Sequence, residues 1–190
     1  MQVCQEWIEV IESSPDGRYL AIGSHDNNIY IYEGTTRRFI LKGHNSFIVA
    51  LDWSQDGSYI RSNCGAHEIL YWTISEEGAK QDKNGRSNTR SVEWATKHTK
   101  FGWHVEGIFP VGCDGTHING VNGSHDGQLI ITGDDFGLVN IFRDPCRNGS
   151  IPYSLRGHSE HVVRVAFSPD DDYIFSVGGY DQTLMQWRRC

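Results

Sequence analysis

GHSEHVVRVAFSPDDDYIFSVGGYDQTLMQWR, residues 157–188, is the stretch on which the reading of this 190-residue chain turns. Gly157-His158 opens it, His161 to Phe167 is a short apolar run, and Ser168-Pro169-Asp170-Asp171 is turn chemistry. A second run, Tyr173 to Val177, meets a tight turn at Gly178 to Asp181, and a third run ends at Trp187. Runs of β-branched and aromatic residues bounded by Gly, Pro, Asp or Ser predict short antiparallel strands.

Three earlier segments copy this spacing. Ser14-Pro15-Asp16-Gly17, Ser54-Gln55-Asp56-Gly57, Ser124-His125-Asp126-Gly127 and Ser168-Pro169-Asp170-Asp171 start 40, 70 and 44 residues apart. Five residues after each Ser stand Tyr19, Tyr59, Leu129 and Tyr173. Before it, one column reads Ile8, Ile48, Ile118, Val162 and another Ile11, Leu51, Val121, Val165. The third run gives Ile29, Ile69, Val139, Leu184 and closes on Tyr32, Trp72, Phe142, Trp187. Apolar columns held while their neighbours vary are what stacked small sheets require, because one such sheet cannot bury its own faces. Each large aromatic buries roughly 150–250 Å², so the closing column is expected to dominate packing between sheets.

The Gly-His start and the Asp181–Trp187 interval resemble the WD40 repeat. The fold implied is all-β, a partial WD40-type β-propeller of about four blades, at 7–41, 44–103, 117–156 and 158–190. A polar insertion at 75–92 interrupts the second blade. Arg37–Leu41 and Ile151–Leu155 read as outer strands of the first and third blades, and the second blade's outer strand is expected within Glu93–Trp103. The fourth blade is expected to lack one, with Met1–Glu6 barely long enough to supply it. The chain therefore reads as the last part of a larger propeller, and self-association through open sheet edges is a further expected contact.

Several phrases are more specific. Glu6-Trp7-Ile8-Glu9-Val10, Gly23-Ser24-His25-Asp26-Asn27-Asn28, Leu51-Asp52-Trp53-Ser54, Glu68-Ile69-Leu70-Tyr71-Trp72, Glu93-Trp94-Ala95-Thr96, Gly133-Asp134-Asp135-Phe136-Gly137 and Gln186-Trp187-Arg188 resemble the echinoderm microtubule-associated protein-like family. The match runs over the whole chain and looks like the C-terminal half of the second of the family's two joined propellers. The resemblance implies a non-enzymatic, cytoplasmic and cytoskeleton-linked protein whose paired propellers engage tubulin, while an N-terminal coiled coil and basic region, neither present in these residues, drive microtubule attachment.

Composition agrees with an interaction module. A hydrophobic fraction of 38% with 12% aromatics supports a packed core, and a net charge of −7 argues against a general nucleic-acid or membrane-surface binder. Five scattered cysteines without Cys-x-x-Cys signal neither a disulfide framework nor a zinc knuckle. With no P-loop, nucleophile elbow, dinucleotide fingerprint or ligand-pair spacing, no cofactor, metal or catalytic residue is expected. A hydrolase using a His/Asp pair on the rim and a generic WD40 scaffold for another complex are the alternatives.

Candidate contact residues fall in two sets. Trp7, Phe47, His117 and His161 stand at the start of each inner strand, and His25, Gly65, Asp135 and Tyr180 in each second turn; on loops held by a rigid scaffold, such residues suit protein contact, or simple loop packing. Lys80, Lys83, Arg86, Arg90, Lys97 and Lys100, against Asp82 and Glu93 alone, make one basic stretch in an acidic chain, able to steer an acidic partner such as tubulin or to serve only as a solvated linker. Gly43, His44, Gly157, His158, Asp26, Asp181, Trp72 and Trp187 read as structural residues of the repeat. The turn Asp falls on Asp26 and Asp181, on Phe136 in the third blade and on Ala66 in the second. His44 is therefore expected to lack its acceptor, and Ala66→Asp to raise the melting temperature.

Overall fold

The computed structural model describes residues 2–109, 112 and 115–189. It forms two compact units, Met1–Phe101 and Gly102–Cys190. The first holds two four-stranded antiparallel sheets: β1 (Ile8–Ser13), β2 (Tyr19–Ser24), β3 (Asn28–Glu33) and β4 (Thr36–Lys42), then β5 (Ile48–Trp53), β6 (Tyr59–Cys64), β7 (Ile69–Ser75) and β8 (Gly78–Gln81), each in sequence order. A single helical turn, α1 (Gly85–Asn88), follows. The second unit has β9 (Ile118–Gly123), β10 (Leu129–Asp134), β11 (Leu138–Arg143) and β12 (Tyr153–Arg156), and then a three-stranded sheet of β13 (Val162–Phe167), β14 (Tyr173–Gly178) and β15 (Leu184–Arg188). These are the all-β sheets of a partial WD40 propeller, one per repeat.

The second blade's outer strand is β8, not the Glu93–Trp103 segment. Ser75 pairs with Gly78 across a two-residue turn at Glu76-Glu77, and the hairpin continues through Trp72 opposite Gln81. Its polarity hid it, because an outer edge strand faces water and carries no apolar requirement. Residues 2–6 form no strand; Val3 and Cys4 pack against Ile22, Tyr30 and Tyr32 of the first sheet.

The Ser-x-Asp turn is built identically four times. The Ser hydroxyl donates to the Asp carboxylate two residues on, at 2.5–2.6 Å, and accepts from the backbone N–H five residues on, at 2.8–2.9 Å. The fourth turn residue then takes a left-handed backbone: Gly17 at φ +71°, Gly57 at +71°, Gly127 at +70° and, in the last copy, Asp171 at +60°. A non-glycine there is disfavoured, and its side chain supplies the compensation. Asp171 accepts from the backbone N–H groups of His125 at 3.0 Å and Asp126 at 2.8 Å, and sits 2.8 Å from His125 Nδ1. Asp171→Gly would ease the backbone yet strand those donors, so it should destabilise the chain by about 1 kcal/mol net. A urea denaturation midpoint unchanged or raised would refute that balance.

The cores follow most of the columns; Ile8, Ile11 and Leu184 are 44%, 54% and 70% exposed, on the outermost strands β1 and β15. Ile29, Ile48, Leu51, Trp53, Ile60 and Trp72 are buried in the first unit, and Ile131, Val139, Val162, Val165 and Ile174, with Trp187 against them, in the second. Between β1 and β2, and at the same place in the other three inner pairs, the register slips by one residue, a β-bulge at Glu9, Val49, Asn119 and Val163. Bulges re-aim the neighbouring side chains, and each of these directly follows the first residue of its inner strand.

Candidate interaction surfaces and the blade networks

Just before each inner strand, one backbone bond recurs. His25 N–H donates to the Trp7 carbonyl, Gly65 to Phe47, Asp135 to His117 and Gly179 to His161, at 2.8–3.0 Å. The fourth place of that turn column is thus Gly179 rather than Tyr180, because the turn after β14 is one residue longer than the others. Trp7 is 76% exposed and tilts over His25, whose ring stacks on Phe47 at 4.5 Å. A Cβ on Gly65 would meet Phe47 at 2.6 Å, so that ring is seated on the glycine. In the second unit, His117 stacks on Phe136 at 5.4 Å and His161 meets the Tyr180 ring edge-on at 5.4 Å. Phe136 and Tyr180 are 60% and 86% exposed. Asp135 accepts from Asn119 Nδ2, and Glu9, at the equivalent bulge, lies 3.3 Å from His25 Nε2.

Phe136 occupies the turn-Asp place of the repeat, so spacing alone does not mark it as a contact residue. The turn does hold a carboxylate, two residues earlier. Asp134 accepts from the N–H groups of Phe136 and Leu138 and from Asn140 Nδ2, each at 2.9 Å. That frees the Phe136 ring to face solvent.

The fourth blade carries a complete polar relay. Trp187 Nε1 donates to Ser176 Oγ at 2.9 Å, Ser176 Oγ lies 2.7 Å from His158 Nε2, and His158 Nδ1 lies 3.0 Å from Asp181 Oδ2. Asp181 also accepts from the N–H groups of Thr183 and Ser159. Gly157 is dictated by packing, since a Cβ there would meet Met185 Sδ at 2.6 Å and Trp187 Cη2 at 2.7 Å. In the first blade Asp26 instead accepts from Asn28 N–H at 3.1 Å and the Tyr30 hydroxyl at 2.6 Å.

The second blade repeats three of the four relay members. Trp72 Nε1 donates to Ser62 Oγ at 2.9 Å and Ser62 Oγ lies 2.7 Å from His44 Nε2, and a Cβ added to Gly43 would lie 3.3 Å from the Trp72 ring. Ala66 supplies no carboxylate, and Glu68, two residues later, stands in for part of it: Glu68 Oε2 accepts from Asn45 N–H at 3.1 Å, as Asp181 does from Ser159. It stops 3.8 Å short of His44 Nδ1, which has no hydrogen-bond partner although the side chain is 1% exposed. Burial drives the His44 pKa down to about 4 against the pull of Glu68, so the ring is neutral at pH 7. Ser62 and Ser176 were missed in the sequence, though the signal was there: their column reads Ile22, Ser62, Thr132, Ser176, with Ser only where the blade closes on Trp.

The 75–92 segment and the residues after it are ordered rather than a solvated linker. Asp82 accepts from Asn84 N–H and Asn88 Nδ2, bracketing α1, and Gly85 packs so closely on Tyr71 that a Cβ would lie 2.2 Å from its Cβ. The chain then returns as a strap along β5. Gln55 N–H donates to the Glu93 carbonyl, Ala95 N–H to the Trp53 carbonyl, and Ser54 bridges Trp94. Asp52, fully buried, fastens the strap by accepting from Thr96 Oγ1 (2.8 Å), His98 N–H (2.7 Å), Thr99 N–H (3.1 Å), Thr99 Oγ1 (2.7 Å) and Arg61 Nε (2.9 Å). The Arg61 guanidinium lies over the Trp94 ring at 4.2 Å, and His98 Nδ1 meets Glu12 Oε1 at 2.7 Å. Lys80, Lys83, Arg86 and Arg90 are exposed on this anchored framework.

Four repeats, each an antiparallel sheet with the Ser-x-Asp turn, and a Gly-His/Ser/Trp relay in two of them, define a run of WD40-type propeller blades. The family described as the echinoderm microtubule-associated protein second β-propeller matches residues 1–189, and the chain belongs to that family. It is 59% identical over 97% of its length to the ciliary WD repeat-containing protein ctxp80 of Euplotoides octocarinatus, covering 26% of that protein. It is 46% identical over 96% of its length to human echinoderm microtubule-associated protein-like 3 and to mouse echinoderm microtubule-associated protein-like 1, covering 21% and 23% of them. The chain thus spans about a quarter of the length of these relatives. Among solved structures, the computationally designed Ika4 protein aligns over 100% of this chain and 96% of its own with a TM-score of 0.51 and 14% identity, a likeness of fold alone.

Proposed function

We propose that the chain is a non-enzymatic protein-interaction module of a microtubule-associated protein, cytoplasmic and cytoskeletal, and that it contributes to binding tubulin. The observation that carries this is the anchored basic segment. In a chain of net charge −7, six cations between Lys80 and Lys100 face two acids, and α1 and the Asp52-bound strap hold them in place. Fixed charge of one sign steers an oppositely charged partner without an ordering cost at the moment of contact. Within the first unit, Trp7 adds an exposed aromatic that suits protein contact. The His–acid pair of the fourth blade supports the non-enzymatic reading, since His158 and Asp181 side chains are 0% and 4% exposed and are engaged in the relay.

Capture of purified tubulin by the immobilised chain, against an unrelated acidic protein of similar charge, separates this reading from a generic WD40 scaffold. Selective capture that weakens steeply as salt rises from 50 to 300 mM, roughly the range over which the Debye length falls below 10 Å, is the expected result. Equal capture of both proteins, or of neither, would reject it.

A further inference from the structure

We propose that His44, Cys64 and Glu68 form a site for one zinc-class divalent cation in the second blade. The three come from separate elements: His44 from the β4–β5 connection, Cys64 from the end of β6, Glu68 from the β6–β7 turn. Cys64 Sγ lies 3.4 Å from Glu68 Oε2, His44 Nδ1 lies 3.8 Å from the same oxygen, and the three donor atoms all fall within 4.8 Å of one another. Zinc bonds of about 2.0–2.3 Å in tetrahedral geometry set ligands roughly 3.3–3.8 Å apart, so a small side-chain movement closes the set around an ion.

The independent observation is His44 itself. Its Nδ1 is buried and without a hydrogen-bond partner, and it is aimed at the thiol and the carboxylate. In the fourth blade the equivalent nitrogen is taken by Asp181. Substitution of that Asp by Ala66 is what leaves a nitrogen available here, and the column of Glu68 holds Thr183 in the fourth blade while that of Cys64 holds Gly178. Cys64 and Glu68 are therefore peculiar to this blade, while the histidine is shared with His158.

The surroundings suit a bound cation. With the metal on Nδ1, the imidazole proton stands on Nε2, where Ser62 Oγ at 2.7 Å takes its hydrogen bond. Glu68 keeps its second oxygen on Asn45 Nδ2, which orients the carboxylate. Cys64 releases its thiol proton to solvent on binding, so one proton leaves per ion bound. Thiolate plus imidazole selects zinc-like ions over magnesium or calcium, and the half-exposed Glu68 side leaves a fourth position for water. The 44/64/68 spacing matches no sequential zinc motif, which is why the sequence gives no sign of it.

Cobalt(II) titration of the metal-stripped 190-residue chain, monitored by absorption, tests this with the metal alone as probe. Expected are one equivalent bound, a thiolate-to-cobalt charge-transfer band, and displacement by zinc. Cys64→Ser should lose the band and weaken binding about tenfold or more, while Cys4→Ser should leave it intact. Glu68→Thr, which removes the carboxylate ligand from a partly exposed position, should remain folded and weaken binding about tenfold or more. Absence of a stoichiometric band in the folded chain, its survival in Cys64→Ser, or undiminished affinity in Glu68→Thr would overturn the proposal.

Discussion

Asp52→Ala should destabilise the chain by about 3–5 kcal/mol, the cost of removing the carboxylate that pairs with the buried Arg61 guanidinium at 2.9 Å. The loss is large because one carboxylate satisfies five donors. Without it, Thr96, His98 and Thr99 lose the anchor that holds the strap, and Trp94 loses the ordered Arg61 beneath it. Burial by itself would raise the Asp52 pKa, but Arg61, the nearby His98 and the hydrogen bonds hold it at about 2, below the ordinary 3.8. Its contribution is thus complete above about pH 4 and disappears as pH falls toward 2.

His98 runs the other way. Burial disfavours its charge, yet the Glu12 hydrogen bond and the Asp52 carboxylate raise its pKa above 6.5, so its contribution is full below that value and is lost as pH rises through the folded-state pKa. Asp52 and His98 together favour the range from about pH 4 to 6.5, but His44, whose pKa burial drives down to about 4, takes stability away as pH falls below 6.5, so stability should peak near pH 6.5. In Asp52→Ala the acid side of that peak should flatten and the alkaline side shrink, since His98 loses one of the charges that raise it. Guanidinium denaturation across pH 3–8 reads both limbs. A variant that loses less than about 1 kcal/mol, or keeps the acid limb unchanged, would show that Asp52 is not the strap's anchor.

The second large effect is a gain. Ala66→Asp alone gives His44 Nδ1 the acceptor that Asp181 gives His158, but places a new carboxylate two residues from Glu68, so its net effect should be small and positive. Pairing it with Glu68→Thr removes the like-charge repulsion and copies the fourth blade, in which Thr183 occupies the Glu68 place beside His158. Satisfying a buried polar group is worth on the order of 1–3 kcal/mol, and each kcal/mol moves the melting temperature of a domain this size by roughly 2–4 °C. Calorimetry of the single and paired variants should show the order wild type, single, paired. A paired variant melting below wild type would mean that His44 is not short of a partner, or that the two blades do not share a register.

Much of this fold is legible before any coordinates. The Ser-x-Asp turns announce themselves because their chemistry is local: one hydroxyl, one carboxylate and one left-handed residue within six positions. The inner three strands of each blade follow from the apolar columns, although in β1 and β15 much of that apolar pattern stays exposed. The outer strand β8 did not show, since a water-facing edge strand leaves no hydrophobic signature. Asp52 carries no signal of its own in the sequence, because its strap partners lie 44 to 47 residues away, a distance at which spacing says nothing. The missing acceptor at His44 was readable from the Ala66 substitution; that Glu68 and Cys64 close around the same nitrogen is visible only once β6 and the β6–β7 turn are folded.

The claim that the anchored basic segment engages tubulin is tested most directly by one titration: the affinity for tubulin dimers of the wild-type chain against Lys83→Glu/Arg86→Glu/Arg90→Glu, at low and physiological salt. All three side chains are exposed, so the variant should fold and melt as wild type does. The proposed contact predicts a loss of about tenfold or more at low salt and a flatter salt dependence, as expected when three steering charges are reversed. Unchanged affinity with an unchanged salt slope would contradict it and move the contact elsewhere.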